Sequence, residues 1–186
     1  DEWFSPEGVC AIAIPFYLAH PKLLKIEQKN IGYAEGSSQK WCLKLLRHEA
    51  GHCFDHIYQV SKKKMWISLF GDPKKPYTPE NYEVDKKSID FVENLEDNYA
   101  QSHPDEDFAE TFAVWLDPRS NWREKYKNKP KALKKLQYIE KIVENLKNQK
   151  PSKNEQASFG QLKKLRSKLK TYYNKKRRQQ LNEKIA

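Results

Sequence analysis

The chain has 186 residues, 38% apolar and 12% aromatic, with a formal net charge of +10, a length that suits one compact domain with an appendage. No stretch approaches the roughly 18 to 20 uninterrupted apolar residues that cross a bilayer as a helix, since the longest, Val9 to Leu18, contains Pro15, so a transmembrane protein is excluded. The excess charge is local: residues 150–186 hold 12 Lys+Arg against 2 Asp+Glu, leaving 23 of each sign in residues 1–149, so the body is charge-balanced and the basic character belongs to the tail.

Val9 to Leu18, rich in Val, Ile, Phe and Tyr, reads as a buried strand ending near Pro21. Leu23 to Gln28 reads as a short helix, and residues 32–36 as a turn. Ser37 or Ser38 can cap a long helix running to about Lys62. Along it Trp41, Cys42, Leu45, Leu46, Cys53, Phe54, Ile57 and Tyr58 recur at helical spacing. Met65 to Phe70 is a short apolar segment. Residues 71–82, with Pro73, Pro76 and Pro79, read as loop. Ser88 to Leu95 alternates weakly and reads as a second strand. A second helix opens after Ser102, with Pro104 in its first turn and Asp105, Glu106 and Asp107 where the dipole favours negative charge. It stops before Pro118. A third, Pro130 to about Lys147, carries Leu133, Leu136, Ile139, Val143 and Leu146 as its apolar stripe. The body therefore spans residues 1–149, a polar linker residues 150–160, and a basic helical tail residues 161–186, with Leu162, Leu165, Leu169 and Tyr172 or Tyr173 on its apolar side.

Three cysteines, Cys10, Cys42 and Cys53, are too few and too odd in number for a disulfide scaffold. Cys42 and Cys53 share one helix about 16 Å apart and cannot bridge. Buried thiols acting as small hydrophobes, in a reducing, cytoplasmic compartment, are the expectation. The opening Asp1-Glu2 shows no basic leader segment; a leader removed upstream stays open.

The sharpest motif is His48-Glu49-Ala50-Gly51-His52. Two histidines at i and i+4 project from one helix face with Cβ atoms about 5–6 Å apart, close enough to share one zinc ion at about 2.0–2.1 Å each. Glu49 can lean over the ion's water as general base. Gly51 costs about 1 kcal/mol in a helix interior, so close approach of another segment is expected there. Two histidines alone are too few for a catalytic zinc, which takes three protein ligands and one open position. His56 lies about 12 Å in rise from His48, too far to join. Glu106 and Glu110 stand at i and i+4 among aromatic and small residues. Buried carboxylates are costly unless a metal or partner compensates. One can ligate zinc while the other accepts the N–H of a ligand histidine. Asp55, three residues after His52, either orients a ligand histidine or caps a surface pair.

HEAGH followed by Glu-x-x-x-Glu resembles the gluzincin arrangement of zinc peptidases. The segment Tyr99 to Phe112 resembles the catalytic-domain family of anthrax lethal factor, which carries a Tyr seven residues before the ligand Glu and then an aromatic-Ala-Glu run. More broadly, residues 3–149 resemble a bacterial family of zinc-binding metallopeptidases, through Ile14 to Pro21, Arg47 to His52 and Tyr99 to Leu116. The resemblance implies an α+β fold: a small zincin-like (gluzincin) domain, helix-rich, with a short sheet and a basic C-terminal helix. It implies one Zn²⁺ per chain on His48, His52 and Glu106, with Glu110 supporting them. The implied reaction is peptide-bond hydrolysis by zinc-activated water, with Glu49 as general base and the Tyr99 hydroxyl stabilising the oxyanion. His103 is an alternative to Tyr99 in that role.

In the tail, Lys163, Lys164, Arg166, Lys175, Lys176, Arg177 and Arg178 form the basic side. It suits phosphates of nucleic acid, an anionic membrane surface, or plain solvation on a helix packed to the body. Two functions follow: a zinc peptidase acting on peptides or proteins, or a nucleic-acid-binding protein with a non-catalytic zinc. A structural zinc needs four protein ligands, and the absence of a Cys-rich cluster favours the enzyme. The oligomeric state is not legible.

Overall fold

The computed structural model describes residues 2–78, 81–151 and 166–183. Its helices are α1 (Pro21–Ile31), α2 (Gln39–Tyr58), α3 (Lys64–Phe70), α4 (Pro104–Leu116), α5 (Trp122–Lys125), α6 (Pro130–Leu146) and α7 (Leu169–Glu183), with 3-10 turns at Phe16–Ala19, Val60–Lys62 and Tyr99–Gln101. None of these helices is long and apolar enough to cross a membrane.

Helix boundaries follow local chemistry. Ser38 accepts from the Trp41 N–H and caps α2. At its far end Gln59 turns left-handed at φ 52° and stops it, earlier than the expected Lys62. His103 caps α4 by accepting from the Asp105 N–H, with Pro104 at the first position and three acids in the first turn. α6 buries Ala132, Leu136, Ile139, Ile142 and Leu146, so the stripe takes Ala132 and Ile142 in place of the expected Leu133 and Val143, which are half-buried.

Two cores hold the helices together. Val60, Trp66, Phe70, Phe108, Phe112, Ile139 and Ile142 pack α3, α4 and α6 around one another. Val92, Val114, Trp122, Tyr126, Ala132 and Leu136 pack the other end. α4 lies between α2 and α6 and is buried along almost its whole length. It is therefore the element on which the other two are registered. α7 packs on α1, through Lys176 on Glu27 at 2.6 Å and Arg177 on Asn30 at 2.9 Å.

The expected short sheet does not form among the described residues. Residues 2–15 run irregularly, with an isolated antiparallel bridge between Phe4 and Ala13. Pro6 and Gly8, the latter at φ 73°, turn the chain, and Pro15 hands it to a 3-10 turn. The apolar content expected of a strand serves burial without pairing: Trp3, Val9 and Tyr17 are in the core. Residues 88–95 are likewise irregular. Their Asn94 and Leu95 N–H groups donate to the Glu110 carboxylate rather than to a neighbouring strand. The thiols also differ from expectation. Cys10 is exposed, and Cys53 meets it across 3.8 Å.

Of the expected linker and tail, residues 152–165, with Lys163 and Lys164, and residues 184–186 lie outside the described residues.

Candidate metal centre

The site sits where α2 crosses α4. Gly51 makes the crossing possible: a Cβ there would stand 2.9 Å from Ala109 Cα and 3.0 Å from Phe112 Cβ. With the backbones this close, side chains one turn away on each helix meet head-on. His48 and His52 face Glu106.

Three atoms converge. His48 Nε2 is 3.0 Å from Glu106 Oε2, His52 Nε2 is 3.2 Å from the same oxygen, and the two Nε2 atoms are 3.1 Å apart. Ligand atoms held at about 2.0–2.1 Å from a tetrahedral ion stand roughly 3.3 Å from one another. The triangle thus has the size that a small divalent ion requires, and two imidazoles with one carboxylate are a zinc donor set. Among the described residues these are the three that group in this way.

The second carboxylate of α4 is used differently. Glu110 Oε1 accepts from His48 Nδ1–H at 2.8 Å and from Asn94 Nδ2 at 3.3 Å; Oε2 accepts from the Asn94 and Leu95 N–H groups, both at 2.7 Å. Asn94 Nδ2 also reaches Lys44 O on α2. Four donors fill Glu110, so its oxygens are committed while one oxygen of Glu106 faces both histidines. The choice between the two acids, open from spacing alone, follows from this satisfaction count.

Burial lowers the His48 pKa, but its hydrogen bonds to Glu106 and Glu110 outweigh that and raise it to about 10. Burial works against ionised Glu106 too, yet His48 and His52 hold its carboxyl well below the usual carboxylate range. Glu49 is raised, first by burial, with the two histidines pulling the other way. Its Oε2 is buried with no partner among the described residues. This is a polar atom held ready and unused, which costs stability unless something binds it.

Beside the triangle lies a cleft of about 870 Å³. His48, Glu49 and Tyr99 line it together with Trp3, Trp41, Leu45 and Tyr82. Tyr99, from its 3-10 turn, places its ring 5.8 Å from the His48 ring, and burial followed by the nearby Glu106 charge pushes its pKa up. Its hydroxyl lies 2.7 Å from that of Tyr77. Tyr77 was invisible in the sequence because it sits in the proline-rich loop, which no periodicity orders. Asn94 was equally hidden. No local signal marks either one.

Other candidates fall elsewhere. His103 is engaged within the fold: Nδ1 accepts from Asp105 N and Nε2–H donates to Lys75 O at 2.8 Å, so both nitrogens cap and tether α4. Asp55 accepts from Ser61 N at 2.6 Å and stabilises the turn after α2. Lys176 is half-buried against α1, and Arg177 reaches Asn30 there while staying exposed, as Arg166, Lys175 and Arg178 are.

A family described as putative zinc-binding metallo-peptidase matches residues 38–179. The chain belongs to this family. The match covers more than half of the chain, including α2, α4 and α6. No curated protein and no solved structure matches it. The name of this zinc-binding metallopeptidase family agrees with the donor set found at the crossing of α2 and α4.

Proposed function

We propose that the protein is a zinc-dependent peptidase of the gluzincin type, with His48, His52 and Glu106 as the ligands. The observation that carries this reading is the buried, unpartnered oxygen of Glu49 beside the three converging donor atoms, on the wall of a cleft. A structural ion would be enclosed by a fourth protein donor; the group here has three and borders open volume.

Bound zinc supplies a Lewis acid that polarises the scissile carbonyl and makes water acidic enough to attack at neutral pH. The remaining work belongs to the chain. Glu49 takes the proton of the attacking water through its free Oε2 and passes it to the departing amine. Burial raises its pKa above the ordinary carboxylate value, which makes it a stronger base toward the attacking water. Tyr99 donates its hydroxyl to the developing oxyanion; the high pKa keeps that hydroxyl protonated. Glu110 holds His48 in one tautomer by accepting a hydrogen bond from Nδ1–H, so that the proton stays on Nδ1 and Nε2 is left to the ion. The aromatic wall of Trp3, Trp41 and Tyr82 gives an extended peptide apolar surface to lie against.

The test compares wild-type protein with Glu49→Gln on a complex mixture of peptides, reading new termini by mass spectrometry, with zinc content measured on both. The expected result is equal zinc and new termini in the wild-type sample alone. Equal cleavage by both proteins would remove Glu49 as the base. Equal zinc with cleavage by neither would remove the peptidase reading and leave the metal site.

A further inference from the structure

Cys10 and Cys53 are 43 residues apart in sequence, yet their Sγ atoms lie 3.8 Å from each other. Cys10 is exposed, Cys53 half-buried on α2, and Cys53 also contacts Val9 O at 4.0 Å. The pair is neither a metal cluster nor part of the triangle. We propose that Cys10 and Cys53 are a reversible disulfide site that ties the N-terminal segment to the helix carrying His48 and His52.

The geometry asks for little. A disulfide holds its sulfurs at about 2.05 Å, and the closing movement falls on Cys10, in an irregular exposed stretch. α2 need not move, because α4 clamps it at Gly51. The segment is already registered on α2 by His56 Nδ1–H donating to Pro6 O at 3.2 Å. Cys42, further up α2, has no thiol facing it among the described residues.

The step balances with a small-molecule disulfide as oxidant. The Cys10 thiolate attacks one sulfur of that disulfide and expels one thiolate. Cys53 then attacks Sγ of Cys10 in the mixed disulfide and expels the second. Two protein thiols lose two protons and two electrons; the oxidant leaves as two thiols. Exposure of Cys10 makes it the entry point, and burial of Cys53 makes it the resolving sulfur.

The consequence reaches the cleft. Glu2 and Trp3, on the same segment, line it. Their wall is held by packing in the dithiol form and by a covalent bond in the oxidised form. Thiol redox state thereby sets how firmly one side of the cleft is fixed.

The experiment treats the full chain with oxidised glutathione, alkylates remaining thiols, and maps peptides without reduction, alongside Cys42→Ser and Cys53→Ser. The expected product of the wild-type protein and of Cys42→Ser is one intramolecular link joining the Cys10 and Cys53 peptides, a loss of about 2 Da that dithiothreitol reverses. Cys53→Ser should stop at a glutathione adduct on Cys10. Limited proteolysis should cut within residues 2–15 at least several-fold more slowly in the oxidised protein. Separate adducts on Cys10 and Cys53 without a link, a link through Cys42, or links between two chains only would each overturn the proposal, as would equal proteolysis of the two forms.

Discussion

A Cβ placed on Gly51 would lie 2.9 Å from the Cα of Ala109. The motif that carries both histidines therefore also carries the notch into which α4 seats. Metal ligation and helix packing are two uses of one turn of α2. Gly51→Ala should gain about 1 kcal/mol of helix propensity and lose more through overpacking, typically about 1–3 kcal/mol. The backbone of Ala109 cannot retreat without carrying Glu106 and Glu110 with it. The expected outcome is lower stability in urea and weaker zinc binding together. A variant with wild-type stability and affinity would mean that the contact relaxes freely.

This packing explains what could be read from the sequence. Histidines on adjacent turns are a local pattern, and a glycine in mid-helix is a local cost, so both could be interpreted without coordinates. Glu106 and Glu110 stood out as acids among Phe108, Ala109 and Phe112, where burial is expensive. Which of them faced the histidines depended on who else approached, and Asn94 and Leu95 approach from a loop. The strand expected over residues 88–95 failed for that same reason: its N–H groups found a carboxylate instead of a neighbouring chain. The strand expected over residues 9–18 failed because apolar content reports burial and says nothing of pairing. Tyr77 lies in a loop whose position only the folded chain determines.

Glu110 and Glu106 should respond differently to amidation. Glu110→Gln leaves the three donor atoms in place but gives up the charge that faces His48 Nδ1–H and the loop N–H groups. Loss of such a partner typically costs about 10–100-fold in metal affinity. It should also raise amide hydrogen exchange at Asn94 and Leu95. Glu106→Gln should abolish tight zinc binding while those two amides stay protected. Competition titration with a chromophoric chelator and exchange mass spectrometry read the two effects. Equal exchange at Asn94 in both variants would sink the division of labour.

The paired hydroxyls of Tyr77 and Tyr99 give a graded prediction. Tyr99→Phe should keep zinc and lower kcat by about 10²–10³-fold, the usual cost of one oxyanion donor. Tyr77→Phe removes the hydroxyl that meets Tyr99 and also faces Glu106, so its loss should be smaller. If Tyr77 acts through Tyr99, the double variant should be no worse than Tyr99→Phe alone. Additive losses would assign Tyr77 an action of its own, on Glu106 or on substrate.

Lys135 Nζ donates to Asp107 Oδ2 at 2.6 Å, and their side chains are 5% and 2% exposed. Burial raises Asp107 to about 7 although Lys135 pulls it down. Removing one partner of such a pair strands a buried charge and typically costs about 3–5 kcal/mol, whereas replacing both by apolar residues is often neutral. Lys135→Met should therefore be strongly destabilised, and Lys135→Met with Asp107→Leu should recover most of the loss. Denaturant midpoints decide it: a double variant as weak as the single one would show that the pair contributes more than its own compensation.

Proton and zinc compete for His48. Its pKa is about 10 in the metal-free fold against about 6.5 in an unfolded chain. A group raised on folding stabilises the fold fully below its unfolded pKa and loses that contribution as pH climbs through the folded value. Metal-free protein should accordingly lose stability between about pH 6.5 and about pH 10. Zinc must displace the Nε2 proton, so its apparent affinity should rise across the same window, by about tenfold per pH unit for one proton released. Opposite slopes for the two forms are the signature: the midpoint of heat denaturation with a chelator should fall as pH rises, while zinc competition titrations tighten. Zinc affinity independent of pH between about 7 and about 9 would mean that the ion meets an already neutral imidazole, and that the two carboxylates do not hold a proton on His48.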